Sequence, residues 1–385
     1  MKNFSCPLCN AKQTKFLTTL NSIVSIKGKM KEWKMTHRIC ESCGVIMFHP
    51  SPKLSELNNY YENAYPFQYE LKEQRQLPAF KFIRKITKTK GNVFDIGPGD
   101  AYLLSLFKKS GYTCYGSEPN KELVLQVREK YGINLLVGDF ETNFKKINQT
   151  KYDLFCMSHV LEHLYEPKKV LKKIRSILKP NGLLYIEVPS LELFSNHNLN
   201  SELTAFTHLW HFSKISLTNL IENMGFKTIK IETSLENDFP VIRAIFKKST
   251  KIIKPKLSNP EIKKISKYFD KYLQRRDSKT ANAFTIISKF LLNNNVVFYG
   301  AGQDLFDLMI RQSNIFSSKN YFIVDSNPDK WGEKLHGVEI FEPKLILSLD
   351  NPVILVTSRL FTIQDSMIKS IKQIKKNLKI VKIFK

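Results

Sequence analysis

Val93-Phe94-Asp95-Ile96-Gly97-Pro98-Gly99-Asp100 is the stretch on which the reading of this chain turns. Apolar residues lead into an Asp and a Gly-x-Gly bend, and Ala101-Tyr102-Leu103-Leu104-Ser105-Leu106-Phe107 continues as a helix. Strand, tight turn and helix in this order open a doubly wound α/β sheet. Gly97 and Gly99 let the backbone turn sharply and bring its N–H groups against a ligand. A dinucleotide-binding loop of the usual kind would have a third glycine where Tyr102 stands, so a nicotinamide site is not expected here.

The next segments supply what such a loop needs. Tyr112-Thr113-Cys114-Tyr115-Gly116-Ser117-Glu118 reads as a second strand closing on an acid. Glu118 lies 21 positions after Gly97, where a doubly wound fold puts the carboxylate that takes ribose hydroxyls. A third apolar run, Leu135-Leu136-Val137, ends at Gly138-Asp139, which offers Asp139 to an adenine edge. A fourth strand, Tyr152–Met157, runs into Ser158-His159-Val160-Leu161-Glu162-His163. Ile177–Gly182 breaks a helix before a fifth strand, Leu183–Pro189. The loop at Asp95, Gly97 and Gly99 resembles motif I of class I S-adenosylmethionine (SAM)-dependent methyltransferases. That likeness implies a Rossmann-like core with SAM as cofactor, held by Asp95, Gly97, Gly99, Glu118, Asp139 and Ser158.

Composition sets the frame. A chain of 385 residues has room for two or three cores, and its apolar fraction of 42% is ordinary. No run approaches the ~20 apolar residues of a membrane span, and no signal-like apolar segment opens the chain. Four of the six cysteines form two CxxC pairs, which points to reduced thiols and a cytoplasmic location instead of a disulfide framework. The net charge of +25 invites a nucleic-acid reading, yet the chain has only ten Arg and its Lys are scattered. Readers of phosphate and bases lean on Arg forks, so nucleic acid is not the expected partner. The Lys excess reads as solvated surface, and nothing in the sequence fixes an oligomeric state.

In chain order, residues 1–50 pair Cys6-Pro7-Leu8-Cys9 with Cys40-Glu41-Ser42-Cys43. Two such knuckles complete a tetrahedral four-cysteine zinc site, closed to substrate and so structural. A hairpin fits between them, with strands at Ile23–Ile26 and Trp33–Thr36 turning at Lys27-Gly28-Lys29. Residues 51–90 read as a helical connector with a tyrosine cluster, Tyr60 to Tyr69, that either roofs the active site or packs against the core domain. The core itself spans 91–248 and closes with a helix over Thr218–Met224 and two strands near Thr228–Ile231 and Val241–Phe246. A Lys-rich helical bridge covers 249–290. Residues 291–385 form a second Rossmann-like unit around Gly300-Ala301-Gly302 and Asp325. Leu305 stands at its third glycine position, so a substrate-gripping or structural role is expected over a nicotinamide site.

Zinc lobe, methyltransferase core and second Rossmann-like lobe together resemble the sugar C-methyltransferases that act on nucleotide-linked deoxy-keto-sugars. The resemblance implies a small-molecule sugar or sugar-nucleotide acceptor, deprotonated beside its carbonyl by a base of near-neutral pKa. It places the family's motif-IV histidine on His163 and its late Glu-His pair on Thr207-His208, so the His is kept and the Glu is lost; a preceding Tyr falls on Ala205. The catalytic candidates are His208, His163 and His159. A lone His also serves O- and N-methyltransferases of envelope glycan precursors. A zinc-ribbon nucleic-acid methyltransferase and a non-catalytic binding protein are the readings from other classes.

Overall fold

The computed structural model describes residues 4–26, 29–63, 72–87, 90–196, 203–236, 239–291, 295–317 and 321–384. Lys27, Gly28 and most of the expected tyrosine cluster beyond Asn63 lie outside these residues. The chain divides into two compact units. The first comprises 1–18, 36–197 and 207–269, the second 19–35, 198–206 and 270–385.

β1 (Thr14–Ile26) and β2 (Lys29–Cys40) are three times longer than the short apolar runs suggested. In β2 the alternation is hidden by charge on the open face. Met35, His37 and Ile39 are buried while Lys31, Glu32 and Lys34 are exposed, a period of two with only one face in the core. β3 (Ile46–Phe48) pairs antiparallel with β2. Helices α1 (Leu54–Asn63) and α2 (Lys72–Arg84) form the connector.

The sheet of the first unit is built by β4 (Asn92–Ile96), α3 (Tyr102–Lys109), β5 (Thr113–Glu118), α4 (Lys121–Tyr131), β6 (Leu136–Val137), α5 (Phe144–Ile147), β7 (Tyr152–Ser158), α6 (Pro167–Ile177) and β8 (Leu178–Pro189). After α7 (Leu191–Asn196) the chain adds β9 (Trp210–His211), α8 (Lys214–Asn223), β10 (Phe226–Glu236) and β11 (Phe239–Lys248). Strand order is β10-β11-β8-β7-β4-β5-β6, with the last five strands parallel and the β10–β11 hairpin antiparallel on β8. This is the α/β Rossmann-like class expected, including the closing hairpin. β9 was not foreseen: it pairs with β3 in the four-stranded sheet β1-β2-β3-β9. Helix α8 begins four residues before the expected Thr218, because Ser213 and Ser216 form a reciprocal capping box at its N-terminus.

Burial explains the sheet's stability. Leu104, Phe107, Val93, Leu154 and Tyr185 belong to one apolar cluster. On α6 the apolar positions Val170, Leu171, Ile174 and Ile177 are buried while Lys169 and Lys172 are exposed. The same division holds on α9 (Asn259–Leu291), where Ile262, Ile265 and Phe269 are buried and Lys263, Lys264, Lys267 and Lys271 are exposed. On these helices the Lys excess is solvated surface, as the composition implied.

The second unit carries β12 (Val296–Tyr299), α10 (Gln303–Arg311), α11 (Ser313–Phe316), β13 (Tyr321–Val324), β14 (Lys334–Leu335), β15 (Val338–Phe341), β16 (Val353–Val356), α12 (Phe361–Ile374) and β17 (Lys379–Lys382). Its order is β14-β15-β13-β12-β16-β17, parallel except for β14. The hairpin tip belongs to this unit: Gln303 accepts from Ser22 Oγ (2.8 Å) and Ile23 N (2.9 Å), and donates to Asn21 O (3.2 Å). Asp307 lies between Arg276 and Arg359, all three buried.

One rung crosses three strands of the first unit. Arg243 on β11 pairs in register with Glu187 on β8, which pairs with Ser158 on β7. Arg243 Nε lies 2.5 Å from Glu187 Oε2, which also accepts from Tyr185 Oη at 2.8 Å; Ser158 Oγ donates to Glu187 Oε1 at 3.0 Å. Glu187 is 1% exposed. Arg243→Met therefore strands a buried charge and is expected to cost about 3–5 kcal/mol in urea unfolding, with Glu187→Gln added to it recovering much of the loss. A single variant within about 1 kcal/mol of the parent would contradict this.

Candidate active site

Strand order reverses at β4: β5 and β6 lie on one side, β7 and β8 on the other. A crevice at the carboxyl ends of such strands is where open α/β sheets bind ligands. Gly97 (φ +62°) and Gly99 (φ +59°) turn the chain at the end of β4, both in the left-handed region that glycine tolerates. A Cβ at Gly97 would stand 3.2 Å from Val160 Cγ2, so the loop after β7 closes tightly on the loop after β4.

The sequence-predicted cofactor residues line this edge. Gly97 N donates to Ser117 O at 2.9 Å, and Gly99 N donates to Glu118 Oε2 at 3.0 Å. Glu118 Oε1 accepts from Asn120 N at 3.1 Å, and Asn120 caps α4. The acid at the end of β5 thus braces the glycine loop, which the sequence did not reveal. Asp95 is buried inside the same turn. Gln76, from the connector, accepts from Leu103 N at 2.6 Å and fixes the first turn of α3; no motif pointed to it. Asp139 is half-buried, with Oδ1 accepting from Thr142 N at 2.7 Å, and the Ser158 hydroxyl is turned to Glu187.

The three histidines gather at the end of β7. His159 has φ +55°, a strained backbone for a non-glycine residue, and its N–H donates to Glu187 O at 2.9 Å. Its ring spans two buried carboxylates, Nδ1 at 3.2 Å from Glu162 Oε1 and Nε2 at 3.4 Å from Glu187 Oε1. Glu162 and His163 sit in a single 3-10 turn, Leu161–His163, held to the loop before β9 by Leu209 N donating to Glu162 O (2.8 Å). His163 Nδ1 lies 2.9 Å from Thr207 O. A carbonyl only accepts, so Nδ1 carries a proton, and in the neutral ring Nε2 presents a lone pair, 3.7 Å from Glu162 Oε1. His208 packs edge-on against His163, ring centroids 4.9 Å apart.

Neither Glu162 nor Glu187 stands in a motif that marks it in the sequence. Burial pushes the Glu162 carboxyl up, but His163, the His159 hydrogen bond and His208 outweigh it and bring the pKa to about 2. Burial in turn lowers His163, against the pull of Glu162. Tyr61 on α1 meets His163 edge-on with ring centroids at 5.9 Å, and burial keeps its phenol protonated. Behind His208, His211 and His37 are buried, with ring centroids 5.1 Å apart. Burial drives His211 well below its usual range. The expected strand at Trp33–Thr36 stops one residue short of His37, and no strand was expected at His211.

The four lobe cysteines also converge. Cys6 Sγ lies 3.8 Å from Cys43 Sγ and Cys9 Sγ 3.5 Å from Cys40 Sγ, and all four sulfurs are within 4.8 Å of one another. Those spacings are far beyond a disulfide and match the roughly 3.8 Å edge of a tetrahedron with Zn–S bonds of about 2.3 Å. In the second unit, Asp325 is taken up internally, by Ala301 N at 2.8 Å and Lys330 Nζ at 2.9 Å.

Residues 69–231 match the family model described as a methyltransferase domain. Over 158 residues the chain is 26% identical to C-methyltransferase NovU of Streptomyces niveus, covering 40% of this chain and 37% of that protein. Over 101 residues it is 26% identical to the ubiquinone biosynthesis O-methyltransferase of Actinobacillus pleuropneumoniae, covering 24% of this chain and 43% of that one. The chain thus spans less than half the length of these two relatives. Among solved structures it is similar to the 1,6-didemethyltoxoflavin-N1-methyltransferase of Burkholderia thailandensis, with a TM-score of 0.41 and 13% identity over 53% of this chain and 96% of that one. The matched stretch is a SAM-dependent methyltransferase domain, and its class is that of an enzyme. Gly97→Val is expected to abolish SAM binding in calorimetry, because the added side chain meets Val160 and the loop loses its turn. Glu118→Ala should weaken binding by roughly 1–3 kcal/mol, because it removes the carboxylate that braces Gly99 N and Asn120 N; unchanged affinity in Gly97→Val would refute the assignment.

Proposed function

We propose that this chain transfers the methyl group of SAM to a sugar-type acceptor, a nucleotide-linked deoxy-keto-sugar. The observation that carries the reading is the cluster of His159, Glu162, His163 and His208 beside the glycine-loop crevice, where the acceptor side of a methyltransferase belongs. The three-part order of the chain and the relationship to a C-methyltransferase support the sugar acceptor and transfer to carbon. Bound SAM supplies an activated methyl on a sulfonium, so the protein has to hold the reactants in line, take charge of the acceptor's proton and exclude water. Asp95, Gly97, Gly99, Glu118, Asp139 and Ser158 are assigned to the cofactor. His208 and His163 face the acceptor, and His159 positions Glu162 from between the two carboxylates. Thr207 in place of the family's Glu, together with the O-methyltransferases among the relatives, favours a second reading: O-methylation of a glycan precursor.

Products identified by mass spectrometry after incubation with SAM and a panel of keto and non-keto sugar nucleotides decide between these acceptors. A gain of one methyl on carbon of a keto-sugar is expected; methylation of none of them would overturn the reading. On a verified acceptor, His208→Ala should leave SAM affinity intact and cut turnover by ~10²–10⁴. Near-normal turnover would remove His208 from the chemistry.

We further assign a structural zinc to Cys6, Cys9, Cys40 and Cys43, whose four thiolates leave no open coordination position. Elemental analysis of protein prepared without chelator should find one zinc per chain in this lobe. Cys40→Ser should lose that zinc and melt at lower temperature, and a variant that keeps both would count against the site.

A further inference from the structure

We propose that Glu162, His163 and His208 form a second metal site, for a divalent transition ion, distinct from the four-cysteine lobe. One ligand atom from each lies within 4.8 Å of the other two. Thr207 O holds the Nδ1 proton of His163, so in the neutral ring Nε2 turns a lone pair toward Glu162 Oε1 at 3.7 Å. A lone pair and a carboxylate oxygen repel unless a proton or a cation stands between them. Glu162 is 1% exposed, and its Oε2 has no hydrogen-bond donor among the described residues. A buried carboxylate at this position calls for positive charge, which a bound cation would supply. His208, a third nitrogen donor on the same side, completes a two-histidine, one-carboxylate set.

That set suits zinc, cobalt, nickel, iron or manganese. Metal–ligand bonds of about 2.1 Å imply ligand separations near ~3.4 Å, so the rings close in by roughly 1 Å from their present spacing. The outer partners of a metal site are already in place: Thr207 O fixes the His163 tautomer and His159 Nδ1 braces Glu162. Three protein ligands leave positions open for an oxygen, the arrangement of a catalytic site and not of a structural one. Placing an acceptor oxygen there rests on the methyl-transfer reading; the metal site does not.

The test is titration of the metal-free full-length chain with cobalt(II) alone. The expected result is two ions per chain: one with the intense thiolate-to-cobalt absorption of the cysteine lobe, the other with only weak visible bands. His208→Ala should weaken the second ion on the order of 100-fold or more, beyond the cost of losing an outer partner, and leave the thiolate absorption unchanged. Glu162→Gln should do the same, with circular dichroism melts confirming that each variant is folded. Cobalt uptake confined to the thiolate site, or a second ion indifferent to both substitutions in folded protein, would overturn the site. Neither result bears on whether the chain methylates a sugar, which the product analysis decides separately.

Discussion

Two buried carboxylates, Glu187 and Glu162, set the terms for everything at the carboxyl end of the first unit's sheet. A carboxylate at 1% exposure is tolerable only if every oxygen finds a donor or a positive charge. Glu187 meets the condition through Arg243, Tyr185 and Ser158 on its own and neighbouring strands. Its partners are fixed by strand register, so the rung ties β7, β8 and β11 into one rigid platform. Glu162 lies one step beyond the platform, reached through His159, whose ring touches both acids. The strained backbone of His159 makes sense in this light, since the strain is held by two buried partners and a backbone hydrogen bond to Glu187.

The loop before β9 completes the arrangement from the other direction. Thr207 O, Leu209 N and the Trp210 indole, which donates to Leu164 O at 2.7 Å, bind it to the 3-10 turn that carries Glu162 and His163. β9 then pairs with β3, and β3 with β2, so the histidine loop is anchored to the strand that ends at Cys40. A lobe stabilised by metal would thereby stiffen a site to which it contributes no ligand. The cofactor edge is built more locally. Glu118 grips Gly99, Asn120 caps the following helix, and Gln76 closes the turn of α3.

The fold class, the glycine loop, the closing hairpin and the four-cysteine set could be read from sequence because each is a local signal. A Gly-x-Gly bend after an apolar run, CxxC spacing and an apolar period of two or 3.6 residues are all written within a few positions of each other. Where such a signal was diluted the reading shortened. Lysines and a glutamate on the open face of β2, and Thr18, Thr19, Asn21 and Ser22 along β1, interrupt the apolar signal, and at α8 a Ser-x-x-Ser box stands in for the usual acid.

The sequence by itself determined that the 91–248 stretch would build a methyltransferase-type sheet with its glycine turn at the strand reversal. Only the tertiary structure decided which polar groups meet there. His163 and His208 are far apart in sequence, as are Glu187 and Arg243, and each pair meets by strand register and loop return, which no local period encodes. Glu162 looked like one acid among many until the fold buried it. The reason is electrostatic: a carboxylate's chemistry is set by its surroundings, and those are assembled only when distant segments pack.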